Sequence, residues 1–395
     1  MNILIIHNSY QIPGGEDEVV RSEKGMLEQF GHKVVLYARS NDEIEKFSLP
    51  AKVQFVVRNS QWSGQIAQDI RSVIRKEKIQ LVHIHNTFLV IGPAVYQACR
   101  DEGVPVVQTL HNYRFLCPNG LFYRDGHICN DCLKFGRQSA IVNRCWRNSF
   151  SASLMITKTV DTFHSKGILQ DGVQHYIALS NFSRQLYIEN GFSADKISVK
   201  PNFLSFDPGQ EKEKGDFALF VGGFFAYKGV ETLVRAWRDI GDEFSLKMIG
   251  DGPLFSKTQS MKSSNVELFG RRSFKETLGY LRRARLLIVP SECYENFPRV
   301  IVEAFACGVP VIGSDAGVIP ELVREGVTGL LFKAGDPHSL VQKAVQLVGN
   351  KALSAQMGQN VRREFELKYT EKRNYEELMA IYHKSIVAYR GGRKI

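Results

Sequence analysis

Short runs of β-branched and other apolar residues alternate along the chain with longer stretches whose apolar residues recur at helical spacing. This alternation is typical of parallel β-sheets that are covered by helices. In the first half the predicted strands are ILII, KVVLY, QLVHIH, VPVVQTL and HYIALS. One helix is predicted from about Glu16 to Phe30, ending at Gly31, and another after Pro93.

The same alternation begins again in the second half, with predicted strands FALFVGG, SLKMIG, VELFG, RLLIVP and VPVIGSD. Between the halves lies PNFLSFDPGQEKEKGD, which is rich in Pro, Gly and charge and has no periodicity, so we place a domain boundary near Asn202. The sequence therefore predicts an α/β fold of two Rossmann-like, doubly wound parallel-sheet domains, residues 1–202 and 203–370. Residues 371–395 should form a helix that packs back toward the first domain.

Size and composition restrict the class of protein. A chain of 395 residues exceeds the roughly 250 to 300 residues that one core supports, which agrees with two domains. No apolar run approaches the roughly 20 residues of a membrane span, and MNILIIHNSY is predicted to be a first strand rather than a signal peptide. We therefore expect a cytoplasmic protein with reduced cysteines. The net charge of +10 favours a phosphate-bearing partner, but no nucleic-acid motif is present and no nucleic-acid partner is expected.

The segment after the predicted strand RLLIVP carries the most informative pattern. Glu295 precedes NFP, and the predicted helix RVIVEAFA carries Glu303 eight residues further on. Ligands of doubly wound folds bind at the carboxyl edge of the sheet, where this loop should lie. Backbone N–H groups around Asn296 and Phe297 could receive a diphosphate, and the two carboxylates could accept hydrogen bonds from sugar and ribose hydroxyls. The alternative is a surface loop with a glutamate that stabilises the helix dipole.

Together with GVPVIGSDAGVIPE and GVTGLLF downstream, this segment closely resembles the E-x7-E motif of glycosyltransferase family 4. The family consists of retaining enzymes with the GT-B fold, in which two Rossmann-like domains face a deep cleft. The resemblance implies that Glu295 contacts the donor sugar and Glu303 the ribose. It also implies front-face substitution, in which the leaving phosphate helps to take the acceptor proton. No dedicated nucleophile and no catalytic divalent metal would then be needed.

The segment FVGGFFAYKGV resembles the strand, turn and helix that hold the donor diphosphate in the same family. Lys228 matches the family's lysine, and an ammonium there would stabilise the charge that grows on the leaving diphosphate. Gly222 and Gly223 form the turn. Gly223 stands where the family usually has an arginine, so a second cation is missing. Either another basic residue replaces it, with Arg299 the nearest candidate, or backbone amides hold the donor diphosphate.

The first domain resembles the acceptor-binding domain of the family. NSYQIPGGEDEVV places Gly14 and Gly15 between the first strand and the first helix, where glycine allows a close backbone approach to phosphate or sugar. A plain tight turn is the alternative. His111 follows the strand VPVVQTL, and the resemblance implies that it hydrogen-bonds the donor sugar near the reacting carbon. His83 and His85 are interpreted as structural hydrogen-bonding residues.

Four of the seven cysteines lie within an insertion, residues 112–147. A C-x2-C pair flanked by two single cysteines could close a tetrahedral thiolate site for structural zinc or a cluster, although the outer spacings are not those of a standard zinc ribbon. Plain thiols are the alternative. The candidate ligands are Cys117, Cys129, Cys132 and Cys145. The other cysteines, Cys99, Cys293 and Cys307, are predicted to pack in the interior.

The segment RQSAIVNRCWRNSFSASLMITKTVDTFHSK, which overlaps the end of this insertion, places Arg137, Arg144, Arg147 and Lys158 among apolar and aromatic residues. A basic, partly amphipathic segment of this kind can lie at an anionic membrane surface, and a core helix with a solvated basic edge is the alternative. Docking would place the enzyme at the inner face of the membrane.

The sequence therefore predicts a glycosyltransferase that moves a sugar from a UDP- or GDP-sugar to a glycan or lipid-linked saccharide, in surface polysaccharide or glycolipid biosynthesis. Two alternatives remain open. One is a nucleotide-sugar 2-epimerase of the same architecture, and the other is a non-catalytic sugar- or nucleotide-binding homologue, which the unusual Gly223 would suit.

Overall fold

The computed structural model describes residues 1–11, 14–45, 63–211, 213–242 and 244–392. These residues form two compact units. Unit 1 contains Met1–Gly120, Asn130–Asn202 and Asn374–Ile395, and unit 2 contains Leu121–Cys129 and Phe203–Arg373. Leu121–Cys129 thus belongs to unit 2, whereas the sequence placed the whole 112–147 insertion in the first domain. Ile12 and Pro13 of the predicted glycine loop lie outside the described residues.

The strands of the described chain are short and mostly apolar. They are β1 (Asn2–Ser9), β2 (Lys33–Ser40), β3 (Leu81–Ile84), β4 (Val106–Leu110), β5 (Tyr123–Arg124), β6 (His127–Ile128), β7 (His175–Ala178), β8 (Ile197–Val199), β9 (Phe217–Val221), β10 (Ser245–Ile249), β11 (Val266–Leu268), β12 (Leu286–Val289), β13 (Val311–Ser314) and β14 (Gly329–Phe332). Every strand that the apolar runs predict is present among them.

Each unit contains one six-stranded sheet whose neighbouring strands all pair in parallel. The strand order is β2-β1-β3-β4-β7-β8 in unit 1. It is β11-β10-β9-β12-β13-β14 in unit 2. The predicted α/β fold with two doubly wound sheets is therefore confirmed. β5 and β6 form a separate antiparallel hairpin.

Helices connect the strands, as parallel pairing requires. They are α1 (Gly15–Gln29), α2 (Asp42–Glu45), α3 (Gly64–Glu77), α4 (Ala94–Asp101), α5 (Asp131–Phe135), α6 (Ser139–Val142), α7 (Phe150–Ser165), α8 (Asn181–Glu189), α9 (Val230–Ile240), α10 (Phe255–Met261), α11 (Phe274–Arg283), α12 (Arg299–Ala306), α13 (Ile319–Leu322), α14 (Pro337–Gly349), α15 (Lys351–Lys368) and α16 (Glu371–Gly392). Short helical turns of other types cover Ile168–Gly172, Ala194–Lys196 and Ala226–Lys228.

The interior strands are buried on both faces, which explains why they read as continuous apolar runs rather than as an alternation. All residues of β3, β4, β12 and β13 are buried. In unit 2 the core also takes in Trp237 of α9, whose indole N–H donates to the carbonyl of Phe244 at 3.1 Å. Within the described residues, no helix combines the length and apolarity that a bilayer span needs.

From Asn374 onward α16 belongs to unit 1 and is anchored there by polar and aromatic contacts. The Asn374 side-chain amide donates to the carbonyl of Pro201 at 2.7 Å, and the Tyr375 ring stacks on Phe30 with centroids 3.8 Å apart. Tyr382 is fully buried. These contacts explain why a helix so distant in sequence completes the first unit.

Candidate functional site

In unit 2 the candidate site lies at the carboxyl ends of two neighbouring strands, β9 and β12. The chain leaves β9 toward the β10 side of the sheet and leaves β12 toward the β13 side, so this is the point at which the strand order reverses. Such switch points open a crevice above the sheet in doubly wound folds, where ligands bind. The two sequence motifs thus converge at the position where a ligand site is expected.

Lys228 and Glu295 meet at this edge. The Lys228 ammonium donates to Oε1 of Glu295 at 2.5 Å, and the hydroxyl of Ser291 donates to the same oxygen at 2.7 Å. Lys228 ends the short helical turn after β9, and Glu295 lies in the loop between β12 and α12. A cation and a carboxylate are therefore held together by two loops that are 67 residues apart in sequence.

The pair is charged. Burial works to raise the pKa of Glu295, but the Lys228 ammonium leaves that pKa below its ordinary value. Burial also works to lower the pKa of Lys228, but the Glu295 carboxylate raises it above its ordinary value. An ammonium has three N–H donors, so Lys228 can hold this carboxylate and still donate to a phosphate oxygen.

Two glycines allow these loops to approach one another. Gly229 follows Lys228 with φ +68°, and a Cβ there would lie 1.9 Å from the carbonyl oxygen of Pro290. Gly317 has φ +59°, and its Cβ would lie 3.0 Å from Cα of Tyr294. The first contact excludes any other residue without movement of the backbone. The KG and DAG parts of the motifs therefore have a steric reason in this structure.

Other predicted residues lie in α12 and just before it. α12 covers RVIVEAFA as predicted, and Nη2 of Arg299, in its first turn, lies 3.9 Å from Oε1 of Glu303. Asn296 and Phe297, just before this helix, are both buried.

The turn after β9 does not carry the second cation that the family usually has there. Gly222 donates its N–H to the carbonyl of Ile249 at 3.0 Å. A Cβ at Gly223 would meet the Phe225 ring at 2.6 Å, so that aromatic ring lies beside the position of the usual arginine.

The sequence did not predict several residues of this edge. Ser291 directly follows Pro290 and holds Glu295, and its carbonyl accepts from the Ser314 hydroxyl at 2.6 Å. The Thr232 hydroxyl donates to Glu292 at 2.5 Å, and burial raises the pKa of Glu292. Ser291 could have been found as the first polar residue after a buried strand.

Tyr123 of the β5–β6 hairpin belongs to the same unit. Its ring centroid lies 6.1 Å from that of Tyr227, and burial, with Glu292 nearby, raises the pKa of Tyr123 to about 12. The Asp125-Gly126 pair that joins the two strands, with φ of 51° and 81°, is a signal from which the hairpin could have been predicted.

Unit 1 contains a cluster of histidines at the corresponding edge of its own sheet, in which His83 and His85 are buried and His111 is half-buried. His111 follows β4, and its Nε2 lies 2.8 Å from Nδ1 of His85, which follows β3. Burial lowers the pKa of His111 to about 3 and holds that of His85 well below its ordinary value. His83 is fully buried and bonds Tyr382 and Thr109, each at 2.8 Å. The His83 ring lies against that of His85, with centroids 4.2 Å apart.

The glycine pair lies at the start of α1. Gly14 caps the helix, and its N–H donates to the Asp17 carboxylate at 2.8 Å. A Cβ at Gly14 would meet nothing within 4 Å, so the structure gives no steric reason for glycine there. The neighbouring Glu16 is half-buried, and burial raises its pKa to about 8. Nε2 of His7 lies 2.9 Å from Oδ1 of Asp17.

None of the seven cysteines, all of which lie among the described residues, forms a disulfide. Within the described residues the one set of three or more side chains that could share an ion is Glu23, His83 and His85, so the predicted cysteine ligands do not form such a set. The cysteine metal site stays a prediction that this geometry does not support. The structure places these four residues, Cys117, Cys129, Cys132 and Cys145, from the end of β4 to the start of α7. Cys99, Cys293 and Cys307 are buried as predicted.

Comparison with known proteins agrees with both halves of this description. Residues 13–207 match the family described as "Glycosyltransferase Family 4", and residues 203–364 match "Glycosyl transferases group 1". N-acetyl-alpha-D-glucosaminyl L-malate synthase of Bacillus anthracis is 30% identical over 80% of this chain and 78% of its own length. The chain belongs to glycosyltransferase family 4. An uncharacterised glycosyltransferase of Methanocaldococcus jannaschii is 38% identical, over 41% of this chain and 48% of its own length.

Solved structures show the same fold. Sucrose-phosphate synthase from Thermosynechococcus elongatus has a TM-score of 0.72 at 19% identity and covers 98% of this chain and 99% of its own. HepE of Anabaena in complex with UDP has a TM-score of 0.68 at 16% identity and covers 97% of this chain and 100% of its own. This family 4 protein is accordingly a glycosyltransferase with the GT-B fold, which confirms the family and the enzyme class that its motifs predict.

Proposed function

We propose that this family 4 enzyme transfers a sugar from a UDP- or GDP-sugar to a glycan or lipid-linked saccharide, with retention of the anomeric configuration. The observation that carries the proposal is the Lys228, Glu295 and Ser291 cluster at the switch point of the second sheet. There the Lys228 ammonium, which can bind a diphosphate, is hydrogen-bonded to the Glu295 carboxylate, which can accept from sugar hydroxyls. The names of two matched proteins add support, since one was solved with UDP and the other makes an α-linked glucosaminyl product.

The proposed chemistry needs no enzyme nucleophile. The bond between the anomeric carbon and the diphosphate oxygen breaks, and the acceptor oxygen bonds to that carbon from the same face. The acceptor proton passes to the leaving diphosphate. Lys228 stabilises the negative charge that develops on that group, which is the largest single contribution such a site can make.

The individual residues then have separate tasks. Glu295 accepts hydrogen bonds from the donor sugar, and Glu303, one turn into α12, accepts them from the ribose. Arg299, next to Glu303, supplies the cation that Gly223 cannot. The N–H groups around Asn296 and Phe297 receive phosphate oxygens. In unit 1, His111 hydrogen-bonds the donor sugar, and Gly14 and Gly15 border the acceptor.

A screen of nucleotide sugars tests the proposal. A panel of UDP-, GDP- and ADP-sugars is incubated with the enzyme, with and without oligosaccharide and lipid-linked acceptors, and nucleoside diphosphate release is measured. One UDP- or GDP-sugar should be turned over much faster when acceptor is present. The anomeric proton coupling of the product should show the configuration of the donor. Conversion of a donor to its 2-epimer without acceptor would favour the epimerase alternative, and an inverted product would exclude retention.

A second observation supports a membrane surface as a partner. Between residues 131 and 166, large apolar side chains are exposed: Phe135 by 69%, Val142 by 75%, Phe150 by 56% and Leu154 by 37%. Exposed basic residues predominate in this range, namely Lys134, Arg144, Arg147, Lys158 and Lys166, while of its two acids Asp131 is half-buried and Asp161 is paired with Arg137. Most of these residues lie on α5, α6 and α7, where α5 packs against α6 and α6 packs against α7.

This surface has the chemistry of an anionic lipid headgroup site. Each cation near such lipid contributes about 1 kcal/mol, and the exposed apolar side chains can enter the interface. Arg137, also predicted for this surface, is instead paired with Asp161 at 2.8 Å. We propose that the enzyme docks here at the cytoplasmic face of the membrane, where a lipid-linked acceptor would be reached.

Vesicle sedimentation tests the docking. The enzyme should sediment with anionic but not with neutral phosphatidylcholine vesicles, and less so at high salt. The Arg144→Ser/Arg147→Ser variant should lose much of this binding. The Arg271→Ser/Arg272→Ser variant, with the same charge change on exposed residues of unit 2, should bind like the wild type. Equal loss in both variants, or no sedimentation of the wild type, would contradict the proposed surface.

A further inference from the structure

Glu23 is a carboxylate buried at the centre of unit 1. It lies on α1 and has 0% exposure. Its Oε1 lies 3.0 Å from Nδ1 of His83, and its Oε2 accepts from the Lys200 ammonium at 3.3 Å. Lys200 also donates to Oδ1 of Asn374 at 2.9 Å. An ionised carboxylate in such a place needs partners of opposite charge, and the pKa of Glu23 is held well below its ordinary value despite burial, chiefly by Lys200.

The same carboxylate faces the histidine pair that contains His111. Oε1 of Glu23 lies 3.8 Å from Nε2 of His85, and Nδ1 of His85 lies 2.8 Å from Nε2 of His111. Among the described residues, neither Oε1 of Glu23 nor Nε2 of His85 has a well-formed hydrogen bond. The order of groups from the interior to the edge of the sheet is thus Glu23, His85, His111.

This order determines where the protons of the two rings lie. Burial keeps both imidazoles neutral, so each has one N–H and one lone pair. A lone pair on Nε2 of His85 would face a carboxylate, whereas an N–H there is attracted to it. His85 therefore carries its proton on Nε2 and accepts through Nδ1. His111 must then donate from its Nε2, and its own Nδ1 carries the lone pair.

We propose that Glu23 is a positioning residue that acts through His85 to fix the tautomer of His111, so that His111 presents a hydrogen-bond acceptor to a hydroxyl of the sugar. The last step rests on the proposed function, because it takes His111 as a contact of the sugar donor. Without Glu23 the pair could reverse its hydrogen bond, and His111 would present an N–H instead. A sugar hydroxyl can either donate to His111 or accept from it. A hydroxyl whose orientation is fixed by its other hydrogen bonds fits only one of the two His111 tautomers.

A metal ion is the competing use of Glu23, His83 and His85, whose candidate ligand atoms lie within 4.8 Å of one another. The position of Lys200 argues against it. Its ammonium already neutralises Glu23, so a divalent cation would add two uncompensated charges to an interior with a low dielectric constant. The hydrogen-bonded relay requires no further charge.

The tautomers can be measured directly in the free enzyme. With nitrogen-15-labelled histidine, long-range proton–nitrogen correlation spectra distinguish N–H from lone-pair ring nitrogens, and His85→Gln and His111→Gln variants assign the signals. Both rings should be neutral with the proton on Nε2. A proton on Nδ1 of His111 would overturn the proposal. The proposal would also be overturned if the purified enzyme contained one equivalent of zinc and that zinc were bound through Nε2 of His85. This experiment does not depend on any assumption about the reaction.

Variants link the tautomer to activity. Glu23→Gln could leave the Lys200 charge unpaired and unfold the protein, so the double variant Glu23→Gln/Lys200→Met is made as well. Thr109→Val is the control, because it removes a buried partner of His83 and leaves the Glu23, His85 and His111 order intact.

The double variant should move the His111 proton to Nδ1 and leave the Kd of the free nucleotide unchanged. It should lower kcat about tenfold or more, since the loss of one correctly directed hydrogen bond, about 1.4 kcal/mol, corresponds to a factor of about ten. Thr109→Val should keep the tautomer and most of kcat. Wild-type tautomers in the double variant would refute the relay. A changed tautomer with normal kcat would instead refute the role of His111 at the sugar.

Discussion

The depressed pKa of His111 makes the stability of the enzyme sensitive to acid. A histidine with an ordinary pKa of 6.5 that falls to about 3 on folding stays neutral in the folded protein but is protonated in the unfolded chain. Its contribution is therefore complete above pH 6.5 and is lost as the pH falls toward 3. At pH 5 the difference for His111 amounts to about 2 kcal/mol. His85 acts in the same direction.

Thermal unfolding of the wild type and of His111→Gln measures this loss. About 2 kcal/mol corresponds to a fall in Tm of roughly 4 to 8 °C for a unit of this size. Between pH 7.5 and pH 5, the Tm of the wild type should therefore fall by roughly 4 to 8 °C more than the Tm of His111→Gln. His338→Gln, which removes an exposed histidine of unit 2, should behave like the wild type. Equal losses in the wild type and His111→Gln would show that His111 is not held neutral, and the reasoning would fail.

Two further predictions concern a glycine and a carboxyl group. Gly229→Ala should weaken nucleotide binding about tenfold or more and lower Tm, because its Cβ would lie 1.9 Å from the Pro290 oxygen. Gly270→Ala is the control, since Gly270 has a similar φ of +65° and nothing within 4 Å of its Cβ. The control should cost only the backbone strain of about 1 to 2 kcal/mol. Calorimetric titration with UDP and GDP would detect the difference, and equal affinities would contradict the steric argument. Folding raises the pKa of Glu16 from 4.5 to about 8, so its contribution to stability is lost as the pH rises between these values. The Tm of Glu16→Gln should therefore fall less than that of the wild type over this pH range. Equal falls in Tm would contradict the buried, protonated state of Glu16.

The sequence predicted those parts of the protein that depend on local pattern. β12 reads as LLIV because both of its faces are covered, and the Pro290 loop follows it directly, so the position of Glu295 could be derived. The helix of Glu303 was predicted residue for residue.

Features that depend on contacts distant in sequence could not be predicted. Glu23 looks like a solvated charge on an amphipathic helix, and its partner Lys200 is 177 residues away. The β5–β6 hairpin lies within an insertion of one half of the chain but packs in the other unit. The four clustered cysteines are close in sequence, but among the described residues they do not form a set of three or more ligands that could share an ion, so the metal site stays a prediction.

The most direct test of the account compares Glu295→Gln with Glu303→Gln, using Glu267→Gln on the exposed edge of β11 as the control. Steady-state kinetics with the donor found in the screen give kcat, and calorimetry gives the Kd of the free nucleoside diphosphate. A charged hydrogen bond is worth about 1.5 to 3 kcal/mol, or roughly ten- to a hundredfold. Glu295→Gln should lower kcat by that factor, and Glu303→Gln should raise the Kd of the nucleotide by a similar one, while the control matches the wild type. If both variants keep wild-type kinetics and affinity, the donor site is not where the switch point of the second sheet places it.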